Sequence, residues 1–140
     1  MVGLVVVTHG RLGEELVRTA ESIVGAIPRA RAVSISATRP VEEARAELEE
    51  AIRTVNEGEG TLVLTDMFGG TPANLALTFL GDSVEVLTGV NLPMVLKFPA
   101  TRAQGLSLAA SAQLLGAYGQ KNINLASELL RQRATGGGRP

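Results

Sequence analysis

The sequence predicts an α/β fold: a three-layer α/β/α sandwich with a mainly parallel sheet of four strands plus a short C-terminal edge strand. Two patterns carry this prediction. Short apolar runs of strand length alternate with longer stretches whose apolar residues recur at helical spacing. The runs are apolar at consecutive positions, as in strands covered on both faces. Such alternation implies right-handed crossovers and an open sheet with helices on both sides.

The first 36 residues predict a strand, a helix and a second strand. The run "LVVVT" is rich in β-branched residues and predicts a buried strand that ends near Thr8. After Gly10, an amphipathic helix runs until Gly25 and Pro28 close it. The segment "RAVSIS" alternates apolar and small polar residues, which predicts a less buried strand near an edge of the sheet.

The middle of the chain predicts a second helix, a third strand and a short third helix. Pro40 is tolerated in a first helical turn, and apolar residues from Val41 to Val55 trace one stripe of a helix that Gly58 can cap. The segment "TLVLTD" predicts the third strand. The segment "MFGGTPANLALTFL" then turns through two glycines into a short helix.

The last part of the chain predicts a fourth strand, "VEVLTG", and three further elements. Pro93 and Pro99 limit the next helix to about two turns. Another helix is expected from near Ser107 to near Gly119, followed by the short final strand "NINLAS" and a last helical piece, "SELLRQR". One domain is expected over residues 1–134, with a disordered tail, "TGGGRP", over residues 135–140.

Composition excludes several classes of function. Thirteen basic and fourteen acidic residues leave a net charge of −1, so no positive field draws nucleic acid or an anionic membrane. The chain has no Trp, one Tyr and three Phe, too few for base-stacking platforms. Cysteine is absent, which excludes disulfides and thiolate chemistry. No apolar run approaches the roughly 18 residues of a membrane helix, and no basic leader precedes the first strand, so a cytoplasmic protein is expected.

Polar residues follow two of the predicted strands. His9, the only histidine, comes after strand one, and Asp66 comes after strand three. Because parallel strands end at the same edge of a sheet, these side chains can meet if their strands are neighbours. A carboxylate bonded to the imidazole Nδ1–H would fix the tautomer and leave Nε2 free to attack phosphorus. The sequence leaves the adjacency of the two strands open.

The glycine turn after Asp66 predicts an anion site. Gly69 and Gly70 permit unusual backbone conformations, Thr71 is a favoured N-cap, and Pro72 suits the first helical position. The helix then presents free N–H groups at the sheet edge, where a phosphoryl group could dock. No second histidine, thiol or P-loop accompanies it, so no metal or cofactor is predicted. Taken singly, each feature also fits a structural role: a hydrogen-bonded histidine, a loop cap, a helix-entry turn.

Three separated motifs in order carry a family resemblance. The segments "VVVTHGRLGEELVRTAESIVG", "LVLTDMFGGTPANLAL" and "EVLTGVNLPMVLK" resemble the enzyme IIA domain of the mannose family of the phosphoenolpyruvate-dependent sugar phosphotransferase system. The likeness runs from about Val2 to Leu130. Phe68 stands where other members carry Trp.

The resemblance implies a phosphoryl carrier. His9 matches the histidine that accepts a phosphoryl group from the phosphocarrier HPr and passes it to a IIB domain, Asp66 matches its hydrogen-bonded aspartate, and Thr71 matches the hydroxyl residue after the double glycine. With these we expect Gly10, Gly69 and Gly70 to bind phosphate. No IIB domain follows in these residues, so a separate IIB protein is the expected acceptor, and membrane association is expected only through transporter components.

The resemblance also implies a homodimer, in which "NINLAS" pairs antiparallel with the partner's sheet. Three alternatives remain open at this stage. The chain could be a regulatory module whose partner binding depends on phosphorylation, a IIA-like component of a dihydroxyacetone kinase system, or a small-molecule binding or structural α/β domain with no phosphoryl chemistry. Transport and regulatory roles are not separated, and the sugar is not named by the sequence.

Overall fold

A computed structural model describes residues 1–135 of the chain. The strands in these residues are β1 (Gly3–His9), β2 (Ala30–Ile35), β3 (Thr61–Thr65) and β4 (Val84–Thr88). The helices are α1 (Leu12–Val24), α2 (Val41–Val55), α3 (Thr71–Leu77), α4 (Leu92–Ala103), α5 (Leu108–Lys121) and α6 (Ala126–Ala134).

The four described strands form one parallel sheet in the order β2-β1-β3-β4. The predicted α/β class and parallel four-stranded sheet are therefore confirmed. Strands β1 and β3 are central neighbours, with Val7 opposite Thr65. This pairing settles the adjacency that the sequence left open, and it brings the residues after both strands to one point on the sheet edge.

Helices cover both faces of the sheet, and the apolar core has two layers. Alternate residues of β1 divide between them because successive side chains of a strand point to opposite faces. Val5 and Val7 pack with apolar residues of α2 and α3, whereas Leu4 and Val6 pack with residues of α1, α4 and α5. All four side chains are fully buried. Since β1 is covered on both sides, its final residue is held on a rigid support.

Helix α4 is longer than the two prolines predicted. It spans 12 residues and continues through Pro99, which has no N–H for the bond to the carbonyl four residues earlier. Val95 and Phe98 are fully buried before the proline, and Thr101 is fully buried after it. The Thr101 hydroxyl also donates to the carbonyl of Phe98 at 2.7 Å. Burial on both sides of Pro99 offsets the lost backbone bond, so the prediction of two turns was wrong.

The predicted final strand does not form within the single chain. Residues 123–125 have no regular secondary structure, and α6 begins at Ala126, inside the "NINLAS" segment. A strand requires a hydrogen-bonded neighbour, and this segment pairs with neither edge of the described sheet. Its pairing with a second copy stays a prediction. The tail predicted to be disordered lies outside the described residues, except for Thr135, which forms a turn after α6.

The longest helix of residues 1–135 is α2, with 15 residues. None of the described helices has the length and apolar character needed to cross a bilayer.

Candidate functional site

The backbone around His9 is fixed from two sides. His9 ends β1 opposite Ile35 of β2, and the Gly10 N–H donates to the Ile35 carbonyl at 2.9 Å. Gly10 has a φ of +54°, which turns the chain away from the sheet toward α1. The buried Thr8 hydroxyl accepts a hydrogen bond from the Gly13 N–H at 2.7 Å and so ties the strand end to the start of α1. His9 thus projects from a rigid turn.

Asp66 bonds to His9 through both the ring and the backbone. The imidazole Nδ1 lies 2.8 Å from the Asp66 Oδ2, and the His9 backbone N–H donates to the same oxygen at 3.0 Å. The other oxygen, Oδ1, accepts from the Met67 N–H at 3.0 Å. A carboxylate only accepts, so a neutral imidazole in this contact carries its proton on Nδ1. Nε2 is then the nitrogen with a free lone pair.

The environment keeps Asp66 ionised. Its side chain is only 13% exposed, whereas that of His9 is 50% exposed. Burial, the largest single influence, favours the neutral carboxyl, but the hydrogen bonds from the His9 ring and backbone together with the His9 charge outweigh it and lower the Asp66 pKa. The site therefore pairs an anchored anion with an accessible imidazole.

The glycine turn passes directly beside the imidazole. Gly69 has a φ of +91°, a conformation that favours glycine. Gly70 is the N-cap of α3, and the Asn74 N–H donates to its carbonyl at 2.9 Å. The helix thus starts one residue earlier than predicted, because the carbonyl of Gly70 accepts the first helical hydrogen bond. Thr71 is the first helical residue and Pro72 the second, where a missing N–H still costs no intrahelical bond.

A cleft of about 240 Å³ opens beside the imidazole. His9 and the exposed Thr71 line it together with the loop that joins β2 to α2. The loop and its flanks contribute Ile35, Ser36, Ala37, Arg39 and Val41.

Arg39 is the cation of this cleft and was not predicted as a site residue. Its guanidinium donates to the Ser34 carbonyl at 2.9 Å and pairs with Glu43 and Glu47. The hydrogen bond with Glu47 is the main reason that the Arg39 pKa is raised. The signal that could have found Arg39 is topological, because β2 is parallel to β1 and its C-terminal loop must emerge at the same edge.

The structure brings His9 and Asp66 into direct contact, Gly70 lies beside the imidazole, and Thr71 lines the same cleft. Gly10 and Gly69 border open space: a Cβ placed on either would meet no atom within 4 Å. Among residues 1–135, no three His, Asp or Glu side chains come together in a way that could hold a metal ion. The arrangement can present one imidazole nitrogen, backed by a carboxylate, to an electrophile in the cleft.

A family model described as "PTS system fructose IIA component" matches residues 3–115. The chain is 27% identical over 137 residues to the PTS system fructose-specific EIIA component of Bacillus subtilis, and the match covers 96% of this chain and 93% of that protein.

Two further proteins show the same likeness. The chain is 29% identical over 98 residues to the PTS system mannose-specific EIIAB component of Escherichia coli, covering 69% of this chain and 30% of that longer protein. The solved mannose/sorbose-specific IIA subunit of a phosphotransferase system from Enterococcus faecalis superposes with a TM-score of 0.78 at 29% identity, covering 89% of this chain and 93% of that one.

Proposed function

The chain belongs to the family of PTS system fructose IIA components, the EIIA-man family, and from this premise we propose that it is a phosphoryl carrier that works through Nε2 of His9. The observation that carries the proposal is the 2.8 Å contact between Nδ1 and the Asp66 carboxylate beside an open cleft. This contact supports the proposal because a neutral imidazole that donates from Nδ1 leaves Nε2 as the nucleophile.

The transfer step follows from that assignment. The lone pair of Nε2 attacks the phosphorus of a phosphorylated donor, a new N–P bond forms, and the bond between phosphorus and the donor's own nitrogen breaks. The donor imidazole leaves with that electron pair. His9 then carries the phosphoryl group on Nε2, its proton on Nδ1 and a positive ring charge, which the Asp66 carboxylate stabilises. Transfer onward reverses the step toward the nucleophile of an acceptor.

We assign the phosphoryl oxygens to the turn after β3. Thr71 lines the same cleft as His9, and the first N–H groups of a helix attract anions. Gly69 and Gly70 let the backbone approach, and a Cβ on Gly10, the residue after His9, would meet no atom within 4 Å. In this proposal Asp66 orients the ring, while Thr71 and the three glycines bind phosphate.

The proposed donor is HPr, and the proposed acceptor is a separate IIB protein, in sugar uptake or its regulation. Both partners must bring their own reactive groups to His9, whose half-exposed side chain stands at an accessible edge of the sheet. We also propose a cytoplasmic location, with membrane association only through transporter components that bind the acceptor.

We further propose a homodimer formed through the C-terminal segment, defined here as residues 122–135. Its apolar side chains Ile123, Leu125 and Leu130 are 76%, 64% and 61% exposed, and α6 buries no residue. A groove of about 460 Å³ runs between the edge strand β4 and α5. The unpaired edge of β4 and these apolar side chains are complementary if each chain supplies its segment to the other.

The phosphoryl carrier is tested by incubating the full chain with phosphoenolpyruvate, enzyme I and HPr. We expect one acid-labile phosphoryl group per chain, and none in His9→Ala, whose circular dichroism spectrum should stay native. Addition of a IIB protein should discharge the labelled chain. A wild-type chain that binds phosphorylated HPr without taking the group would contradict the carrier proposal and favour a binding module.

A further inference from the structure

The two glycines of the turn after β3 are required for different reasons. Gly69 has a φ of +91°, but a Cβ placed there would meet no atom within 4 Å. Gly70 has φ −88° and ψ 170°, which is ordinary extended backbone that any residue adopts. Its backbone conformation therefore does not call for glycine. The reason for a missing side chain at this position must lie in its surroundings.

The group that lies beside Gly70 is the imidazole of His9. A Cβ on Gly70 would lie 2.6 Å from Cε1 and 3.1 Å from Nε2 of the ring. The first distance is shorter than Cβ contacts in real proteins, so something would have to shift. The Met67 Cγ, at 3.6 Å, is an ordinary contact. The conflict is thus specific to the edge of the ring that carries Nε2.

The His9 imidazole cannot move away from a side chain at position 70 without disturbing its hydrogen bond to Asp66. Nδ1 is held at 2.8 Å by Asp66 Oδ2, and both carboxylate oxygens are themselves fixed by backbone N–H groups of His9 and Met67. A methyl group at position 70 would force the imidazole to rotate, which lengthens the Nδ1 bond. It would also occupy the first contact shell of Nε2.

We infer, on the basis of the proposed function, that Gly70 is a positioning residue for phosphoryl transfer: its lack of a side chain lets the His9 ring bond to Asp66 through Nδ1 while Nε2 stays open. Asp66 holds one edge of the ring and the Gly70 backbone borders the other. Glycine is required here by the nucleophile, whereas Gly69 is required by the turn.

The test uses the full chain labelled with ¹⁵N-histidine. Since His9 is the only histidine, the imidazole signals need no assignment. In Gly70→Ala we expect both ring nitrogen signals to move from their wild-type positions because the bond to Asp66 is disturbed. Gly69→Ala is the matched control: it adds the same methyl group in the same turn, strains the backbone, and should keep the wild-type imidazole signals.

A stability comparison gives a second readout that does not depend on activity. Any fall in thermal midpoint caused by Gly70→Ala should disappear when the same substitution is made in His9→Ala, because the ring that it meets is gone. The inference is overturned if Gly70→Ala leaves the imidazole signals unchanged, or if it lowers the midpoint equally with and without His9.

The rate of phosphoryl acceptance from phosphorylated HPr should fall on the order of 100-fold in Gly70→Ala, the scale expected when a reacting group is misplaced by about 1 Å. A Gly70→Ala chain that accepts the group at the wild-type rate would overturn the positioning role. If the wild-type chain accepts no phosphoryl group, the proposed function fails, while the imidazole signals still decide whether Gly70 sets the ring orientation.

Discussion

The edge of the sheet at His9 and the C-terminal segment differ in how much of their structure the single chain provides. At His9, the strand end, the following turn and the partner carboxylate are each fixed by hydrogen bonds within the chain. In the C-terminal segment, α6 has no buried residue and three large apolar side chains are mostly exposed. The contact between His9 and Asp66 is thus complete within one copy, whereas the described residues leave the apolar side chains of the C-terminal segment uncovered.

The largest expected effect lies at the Asp66 carboxylate. Asp66→Asn should slow phosphoryl acceptance by about 100- to 10,000-fold, because an amide can donate to Nδ1 and so move the ring proton to Nε2. Rapid-quench measurement of the labelled chain would give the rate. The matched control is Asp82→Asn, which changes the chain's other aspartate, an exposed residue before β4, and should keep the wild-type rate. Equal rates in both variants would contradict the role of Asp66.

The next largest effect concerns stability: the loss of unfolding free energy should differ between a substitution in the sheet and one in the C-terminal segment. Leu64 of β3 is fully buried, and Leu64→Ala should cost about 2–5 kcal/mol of unfolding free energy through lost burial and a cavity. Leu130 is 61% exposed, and Leu130→Ala should cost less than about 0.5 kcal/mol in dilute samples where the monomer dominates. Urea unfolding measures both. A large cost for Leu130→Ala in the monomer would mean that α6 packs on its own chain.

The oligomeric state should respond to changes in the C-terminal segment rather than to changes in the site at His9. The double variant Ile123→Asp, Leu125→Asp places charges on the exposed apolar side chains of the C-terminal segment and should shift the chain to a monomer in light scattering. Its rate of phosphoryl acceptance should stay at the wild-type value, because no residue of the site belongs to that segment. Leu80→Asp changes an apolar residue that is 52% exposed elsewhere and should leave the assembly unaltered. A wild-type chain that is monomeric at all concentrations would refute the dimer.

The smallest expected effect is the pH dependence contributed by Asp66. Its pKa is lowered in the folded chain, so its contribution to stability is present above its ordinary value of 3.8 and is lost as the pH falls through the folded value. Thermal midpoints at pH 7 and pH 3 should therefore differ less in Asp66→Asn than in the wild type. The effect is modest because solvent screens the pair. An identical difference in both chains would show that the contact with His9 adds nothing to stability.

The two regions also differ in what could be predicted from the sequence. His9 and Asp66 lie at the ends of apolar strands, and parallel strands end at the same edge of a sheet. The two side chains therefore meet if β1 and β3 are neighbours. The adjacency of β1 and β3 depends on the strand order, which cannot be predicted from a local sequence pattern. Arg39 was not predicted for a related reason: the following Pro40 marks this segment as the entry to a helix, and only the strand order shows that it follows a strand parallel to β1.

Where the predictions failed, the deciding contacts were distant in sequence. Pro99 ends a helix by local rules, but burial of Phe98 and Thr101 carries α4 through it. The "NINLAS" segment is a different case: a strand forms only against a neighbour, which the described part of the single chain does not supply, so its strand in a dimer stays a prediction. The role of Gly70 was likewise invisible, since a glycine required by a ring 61 positions away looks like a glycine required by a turn.

The most direct test of the account is the site of phosphorylation itself. The chain, labelled with ¹⁵N-histidine and phosphorylated through HPr, can be observed by ³¹P and ¹⁵N resonance. The account predicts one phosphoryl group per chain, bonded to Nε2 of His9, with the proton retained on Nδ1. A phosphoryl group on Nδ1, or on any other residue, would contradict it.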